Sequence, residues 1–318
     1  VMAGDRFTLY FYPMSYYSQK VLHTLFEKGV SFKRYYVDIQ NGAQNETSYM
    51  KINPKGLVPV VQDGNKYISE SEDIIDYLDK EIASGPRLVP DPATPYGQEV
   101  ARWRQLLHDI RVDIITYGTI NNPELSATGL KMPRILRMSK DTNHKRLADT
   151  FAKNEDTAVK NPEFKKELEA KNQRVMTFLE TTFNKETVST LLDGLEETFN
   201  LVEEQLKISR SHSQDDNTDV WLMGPEFTAP DIIMTTLLNR LDVLGLEERY
   251  TSPKKRRLVY EYHQRLLQRP AVKATLQETK SIIWIKLKGK ILNTIPYVFV
   301  LLAIGAAGWG IYQNYLRK

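Results

Sequence analysis

The hydrophobic spacing of this chain changes character once, near Gly85, and that change fixes what it can fold into. Before it, strand-like and helix-like runs alternate. Phe7–Tyr12 is rich in β-formers. Gln19–Gly29 then places Val21, Leu22, Leu25 and Phe26 on one helical stripe and stops at a glycine. Phe32–Ile39 reads as a second strand. Val58 to Val61 enters a third, Asp63-Gly64 marks a hairpin, and Lys66–Ile68 forms its return. Ser69, Glu70 and Ser71 open a helix carrying Ile74, Ile75, Tyr77, Leu78 and Ile82. The order β-α-β then β-β-α over residues 5–83 is that of an α/β domain.

A Pro-rich linker (84–95, with Pro86, Pro90, Pro92 and Pro95) follows, and then only the helical period persists. Val100, Trp103, Leu107, Ile110 and Ile114 share a face, as do Leu192, Leu195, Phe199, Val202 and Leu206. Thr228 and Asp231 are spaced as a capping box, with Phe227 placed to staple on Ile232. Tyr260–Gln268 suggests a further helix. The second domain is therefore all-α, spans 96–279, and carries a long helical insertion over about 119–190. Lys131 to Arg174 within it holds 12 bases and 7 acids, with Arg134, Arg137, Lys140, Lys145 and Arg146 clustered. Residues 131–174 read either as a solvated helical hairpin or as a docking surface for a protein partner.

The chain has no cysteine, which excludes disulfides, Cys-based zinc and iron–sulfur sites and a Cys nucleophile. Of the 43 Lys and Arg, six lie from Lys280 onward with no acid among them, so the body before them is slightly acidic and does not read as nucleic-acid-binding. No Gly-rich phosphate loop and no metal-ligand spacing of the histidines is present, so neither nucleotide nor metal is expected.

From Lys290 to Arg317 no charge interrupts the sequence. Residues 295–316, about 33 Å as a helix, match one hydrocarbon thickness. Tyr297, Tyr312 and Tyr315 stand at its ends, and a basic segment, 280–294, precedes it as an interfacial stretch attracted to anionic lipid. The expectation is a single-pass tail anchor, inserted after synthesis, with the N-terminal body facing the cytosol. Bases on both flanks and a modestly apolar span favour the outer mitochondrial membrane over the endoplasmic reticulum or peroxisome.

The element order, Val58-Pro59, Glu70-Ser71 and the later capping box resemble glutathione S-transferases over about residues 5–275, which implies an α/β thioredoxin-like N-terminal domain followed by an all-α domain of the transferase type. The tail, the insertion and the strings SQKVLHTLFEK, EETFNLVEEQL and WLMGPEFTAPD are similar to the ganglioside-induced differentiation-associated protein 1 family. That resemblance implies a tail-anchored protein of the outer mitochondrial membrane, acting as an adaptor in mitochondrial network dynamics, including fission. It leaves open an active membrane-bound transferase conjugating glutathione to electrophiles. It also implies candidate positions for glutathione. Ser15 stands where Ser-type transferases stabilise the thiolate, with Ser18 one turn later. Val58, before a cis Pro59, would pair with the cysteinyl backbone. Glu70 and Ser71 match the γ-glutamyl contact, and Lys55 can reach the glycyl carboxylate. Each has a plainer reading: Ser15, Ser18 and Ser71 as helix caps, Pro59 as a requirement of the fold. Glu72 and Asp73 stand where they would repel a ligand carboxylate. Tyr10 and Tyr12 offer phenols or merely pack within the strand. Any homodimer would be non-covalent.

Overall fold

The computed structural model describes residues 5–131, 140–212 and 219–281, with backbone only for 140–147. The chain forms one compact unit to Thr275; a second begins at Leu276, and its described residues, 276–281, are helical. The expected anchor, 295–316, and all but Lys280 and Ser281 of the basic segment lie outside the described residues. So do Arg134 and Arg137. Among the described residues no helix is long and apolar enough to cross a membrane.

Strand β1 (Phe7–Phe11) leads into helix α1 (Tyr16–Glu27) and the parallel strand β2 (Phe32–Tyr36). After the short helix α2 (Thr47–Met50), strands β3 (Val60–Asp63) and β4 (Lys66–Ser69) add antiparallel to β1, giving the order β2-β1-β3-β4. Helix α3 (Ser71–Glu81) closes the domain. The alternation seen in sequence becomes a core: Leu9, Val21, Leu22, Leu25, Val61, Ile74 and Leu78 bury together. Each contributes about 1.5–3 kcal/mol by leaving water.

The linker is pinned by charge. Asp79 on α3 pairs with Lys28 at 3.0 Å and accepts the N–H groups of Leu88 and Val89 at 2.8 and 3.1 Å. Gly85 is needed there: at φ 76° its Cα lies so close to Glu27 that a Cβ would meet that residue's carbonyl oxygen at 2.2 Å.

Helices α4 (Pro95–His108) and α5 (Val112–Asn121) start the second domain. The apolar face read from Val100 to Ile114 divides between them, because Arg111 leaves helical geometry (ψ 62°). Thr94 accepts the Gly97 N–H at 3.0 Å and caps α4. The insertion supplies α6 (Lys140–Lys160) and α7 (Lys165–Phe183). Then follow α8 (Lys185–Ser211), α9 (Ala229–Val243), the short α10 (Glu247–Tyr250) and α11 (Arg257–Gln268). Trp103, Phe199, Ile232, Leu237, Tyr250 and Tyr262 lie in one apolar cluster around α9. The Asp231 carboxylate reaches back to the Thr228 N–H at 2.8 Å, as the capping-box spacing predicts. It also accepts Leu222 N–H and the Tyr262 hydroxyl at 2.9 and 2.6 Å. Phe227 and Ile232 are buried in the same cluster.

The insertion departs from the picture of a solvated hairpin. Ala158, Phe164 and Leu168 bury against Met50 of α2. The Lys171 ammonium donates to the Gly56 carbonyl at 2.6 Å and to the Asn45 side chain. With no carboxylate among these partners, burial and then Arg174 pull Lys171 down to about 8.

Candidate functional site

Three backbone features converge on one groove. The Val58–Pro59 bond is cis. Glu70 adopts φ 67°, and no other described non-glycine residue has positive φ. Helix α3 begins at the next residue. Among the described residues, nothing in the protein pairs with the backbone N–H or carbonyl of Val58, or with the N–H groups of Ser71, Glu72 and Asp73. The first offers an edge to an extended peptide, and the second set leaves donors free at a helix N-terminus, the kind of place where an anion is received.

The groove, about 740 Å³, is lined by Tyr17, Asn53, Leu57, Val58, Pro59, Glu70, Ser71, Glu72, Asp73, Asp76, Arg104 and His108, among others. The segment ahead of Pro59 is held firmly. Tyr49 Oη and Asn53 Nδ2 both donate to the Leu57 carbonyl, at 2.8 and 2.9 Å, while Lys171 holds Gly56. Ser71 is 6 % exposed, and its hydroxyl bonds to no described protein group, so it remains available to a ligand.

The acidic face is neutralised from below. Lys20, 1 % exposed, reaches from α1 to pair with Glu72. Arg104 on α4 donates to the second Glu72 oxygen at 2.6 Å and to the Glu72 carbonyl at 2.7 Å, and pairs with Asp76. Burial alone would raise the Glu72 carboxyl; Lys20 and Arg104 overcome it and hold Glu72 below its ordinary value. The repulsion expected from Glu72 is therefore cancelled by two cations, whereas Asp73 stays exposed.

The other sequence candidates fall at different places. Lys55 and Glu70 pair with each other at 2.6 Å, both half exposed. Ser15 caps α1, its Oγ accepting the Ser18 N–H at 3.3 Å. It is not among the groove-lining residues, whereas Tyr17, two positions on, is. Ser18 is fully buried and accepts the Tyr12 N–H at 3.4 Å. Tyr10 Oη donates to Gln62 at 2.9 Å, as a strand-packed residue does. Sequence reasoning missed Tyr17, Arg104, Asn53 and Lys171. Burial, and then Asp113, push the Tyr17 phenol up to about 12, and the Lys20 ammonium stands 5.2 Å from its ring. Among the described residues no cluster of His, Asp and Glu suits a metal ion.

Family models for the glutathione S-transferase N-terminal domain and C-terminal domain match residues 14–81 and 151–270, together more than half of the chain. The chain belongs to the glutathione S-transferase family. The cis Val58–Pro59 bond implied by that resemblance is present. Along nearly its whole length the chain is similar to ganglioside-induced differentiation-associated protein 1-like 1 of Mus musculus. The two are 24% identical over an alignment that covers 99% of this chain and 87% of that protein. A plant family member, glutathione S-transferase TCHQD of Arabidopsis thaliana, is 26% identical over 84% of this chain and 88% of its own length. Among solved structures, the glutathione transferase URE2P8 of Phanerochaete chrysosporium, determined with oxidized glutathione, shares the fold. Its TM-score is 0.59 at 16% identity, over 89% of this chain and 99% of that one.

Proposed function

We propose that this glutathione S-transferase family chain is a glutathione-binding adaptor, tethered by residues 295–316 to the outer mitochondrial membrane and acting on mitochondrial network shape and fission. The observation that carries the binding half is the groove. Val58 offers an unpaired peptide edge, and the unbonded Ser71 hydroxyl and the start of α3 offer an anion seat. Those groups suit the cysteinyl backbone and the γ-glutamyl carboxylate. The adaptor half is supported by similarity to a ganglioside-induced differentiation-associated protein 1-like protein across 99% of the chain. A protein partner at 131–174 and a non-covalent homodimer belong to the same reading.

Calorimetric titration of the full chain with glutathione tests the groove: saturable heat at or below millimolar ligand is expected, and its absence removes the binding half. Carbonate washing of membranes from expressing cells tests the tether. The chain should stay in the pellet, and release into the supernatant would sink the adaptor half.

One observation favours a second reading, transferase turnover. Ser15 accepts a hydrogen bond as a cap, yet donates none among the described residues. Capping and thiolate stabilisation are thus compatible: the lone pair serves α1 while the hydroxyl proton can point at sulfur, beside a helix N-terminus that favours the anion. If the chain conjugates electrophiles, Ser15→Ala lowers kcat about 10²-fold or more while glutathione affinity changes little.

A further inference from the structure

One Asn-Gly step occurs in the sequence, Asn41-Gly42, in the loop between β2 and α2. Its surroundings suit one reaction. The Asn41 side chain is exposed. The Gly42 N–H bonds to no described protein group, so its nitrogen is free to act as a nucleophile. Gly42 adopts φ 81°, and nothing lies within 4 Å of where a Cβ would stand. With open space around it and no side chain of its own, the residue can swing onto the neighbouring amide.

The turn itself is built on Asp38. The Asp38 carbonyl accepts the N–H groups of Asn41 and Ala43 at 3.1 and 3.2 Å. Its carboxylate accepts the Gln40 N–H at 3.2 Å and Asn41 Nδ2 at 2.6 Å. The Gly42 carbonyl in turn accepts the Asn45 N–H at 2.9 Å, and Asn45 is one of the two groups that Lys171 of the insertion holds.

We propose that Asn41 is a modification site, at which Gly42 displaces ammonia and water then leaves an aspartyl or isoaspartyl residue in place of the amide. The Gly42 nitrogen bonds to Asn41 Cγ as the Cγ–Nδ2 bond breaks, and Nδ2 departs as ammonia with the proton that Gly42 gives up. One water then opens the five-membered imide at either carbonyl. The reaction needs no oxidant, metal or second protein. Either product exchanges a donor to Asp38 for a carboxylate. The 2.6 Å bond is lost, two like charges stand in one turn, and in the isoaspartyl form the main chain gains a carbon. The turn slackens, and with it the seat of Asn45 beneath Lys171. This goes beyond the proposed function and requires neither glutathione nor a membrane.

The test incubates the full chain at neutral pH and follows the peptide containing residue 41 by mass spectrometry, with a free peptide of residues 37–46 alongside. Conversion at Asn41 should run within about tenfold of the free-peptide rate, as in a loop that opens at little cost. Electron-transfer fragmentation should identify the isoaspartyl form, and ¹⁸O-labelled water should leave one heavy oxygen in the product. Asn41→Gln, which would have to close a six-membered ring, should stay unconverted over the same period. Asn41→Asp installs one product directly and should raise amide exchange over residues 43–50 severalfold. Three results overturn the proposal: an intact Asn41 when the free peptide is fully converted, aspartate formed with no isoaspartate, which marks direct hydrolysis, or unaltered exchange in Asn41→Asp. If Asn41→Asp does not fold, exchange in the aged wild-type chain decides in its place.

Discussion

Glu27 and Arg269, 242 positions apart, hold each other through two hydrogen bonds of 2.7 and 2.6 Å. The guanidinium also lies over the rings of Phe227 and Trp221, at 3.8 and 4.7 Å. The contact joins the end of α1 to the residue after α11, and His23 Nε2 adds a third bond to Glu27 at 3.2 Å. Burial would raise the Glu27 carboxyl, but Arg269 and then His23 pull it down to about 2 from an ordinary 4.5. In the unfolded chain Glu27 binds its proton at the higher pH. The stabilisation, on the order of 3 kcal/mol, is complete above about pH 5 and drains away as pH falls toward 2. Urea midpoints recorded from pH 6 to 2 should show Glu27→Gln with a flatter acid limb than the wild type; parallel limbs would refute the assignment.

Lys20 and Glu72 make a pair in which the cation is almost wholly enclosed. Removing Glu72 leaves the enclosed Lys20 uncompensated, whereas removing Lys20 leaves Glu72 with Arg104. Glu72→Gln is expected to cost about 3–5 kcal/mol, and Lys20→Met less, because Arg104 still holds Glu72. Denaturant unfolding of the singles and the double gives the coupling, and a double mutant that simply sums the two singles would contradict the pairing.

Ser71 makes no hydrogen bond to described protein groups through its hydroxyl, so its loss should hardly touch the fold. Ser71→Ala is expected to change stability by less than about 0.5 kcal/mol. It should weaken glutathione binding about ten- to hundredfold, the worth of one bond to a charged group. Calorimetry measures the second and thermal unfolding the first. Unaltered affinity would place the γ-glutamyl end elsewhere.

Leu168 anchors the insertion on α2, with Met50, Ala158 and Phe164 around it. Leu168→Ala should cost about 2–5 kcal/mol and raise amide exchange over residues 43–56. A hairpin standing free in solvent would instead tolerate the change without effect on that loop.

The thioredoxin-like half was legible because its periods of two and 3.6 alternate cleanly and Asp63-Gly64 punctuates them. Helix α9 was legible because Thr228 and Asp231 carry a capping mechanism at fixed spacing. The groove was legible only where the backbone has a chemical marker, at Pro59 and at the start of α3. Arg104 and Lys171 could not be foreseen: their partners lie 32 and 115 residues away, at Glu72 and Gly56, and no local pattern records such pairings. The face shared by Val100 to Ile114 did not reveal the break between α4 and α5, because periodicity reports which side is apolar, not where Arg111 turns the chain.

Lys171 gives the insertion a grip on the ledge that carries Val58. A partner on α7 that altered that grip would change the affinity of a ligand lying on the ledge. By linkage, that ligand would then change the partner's affinity by the same factor.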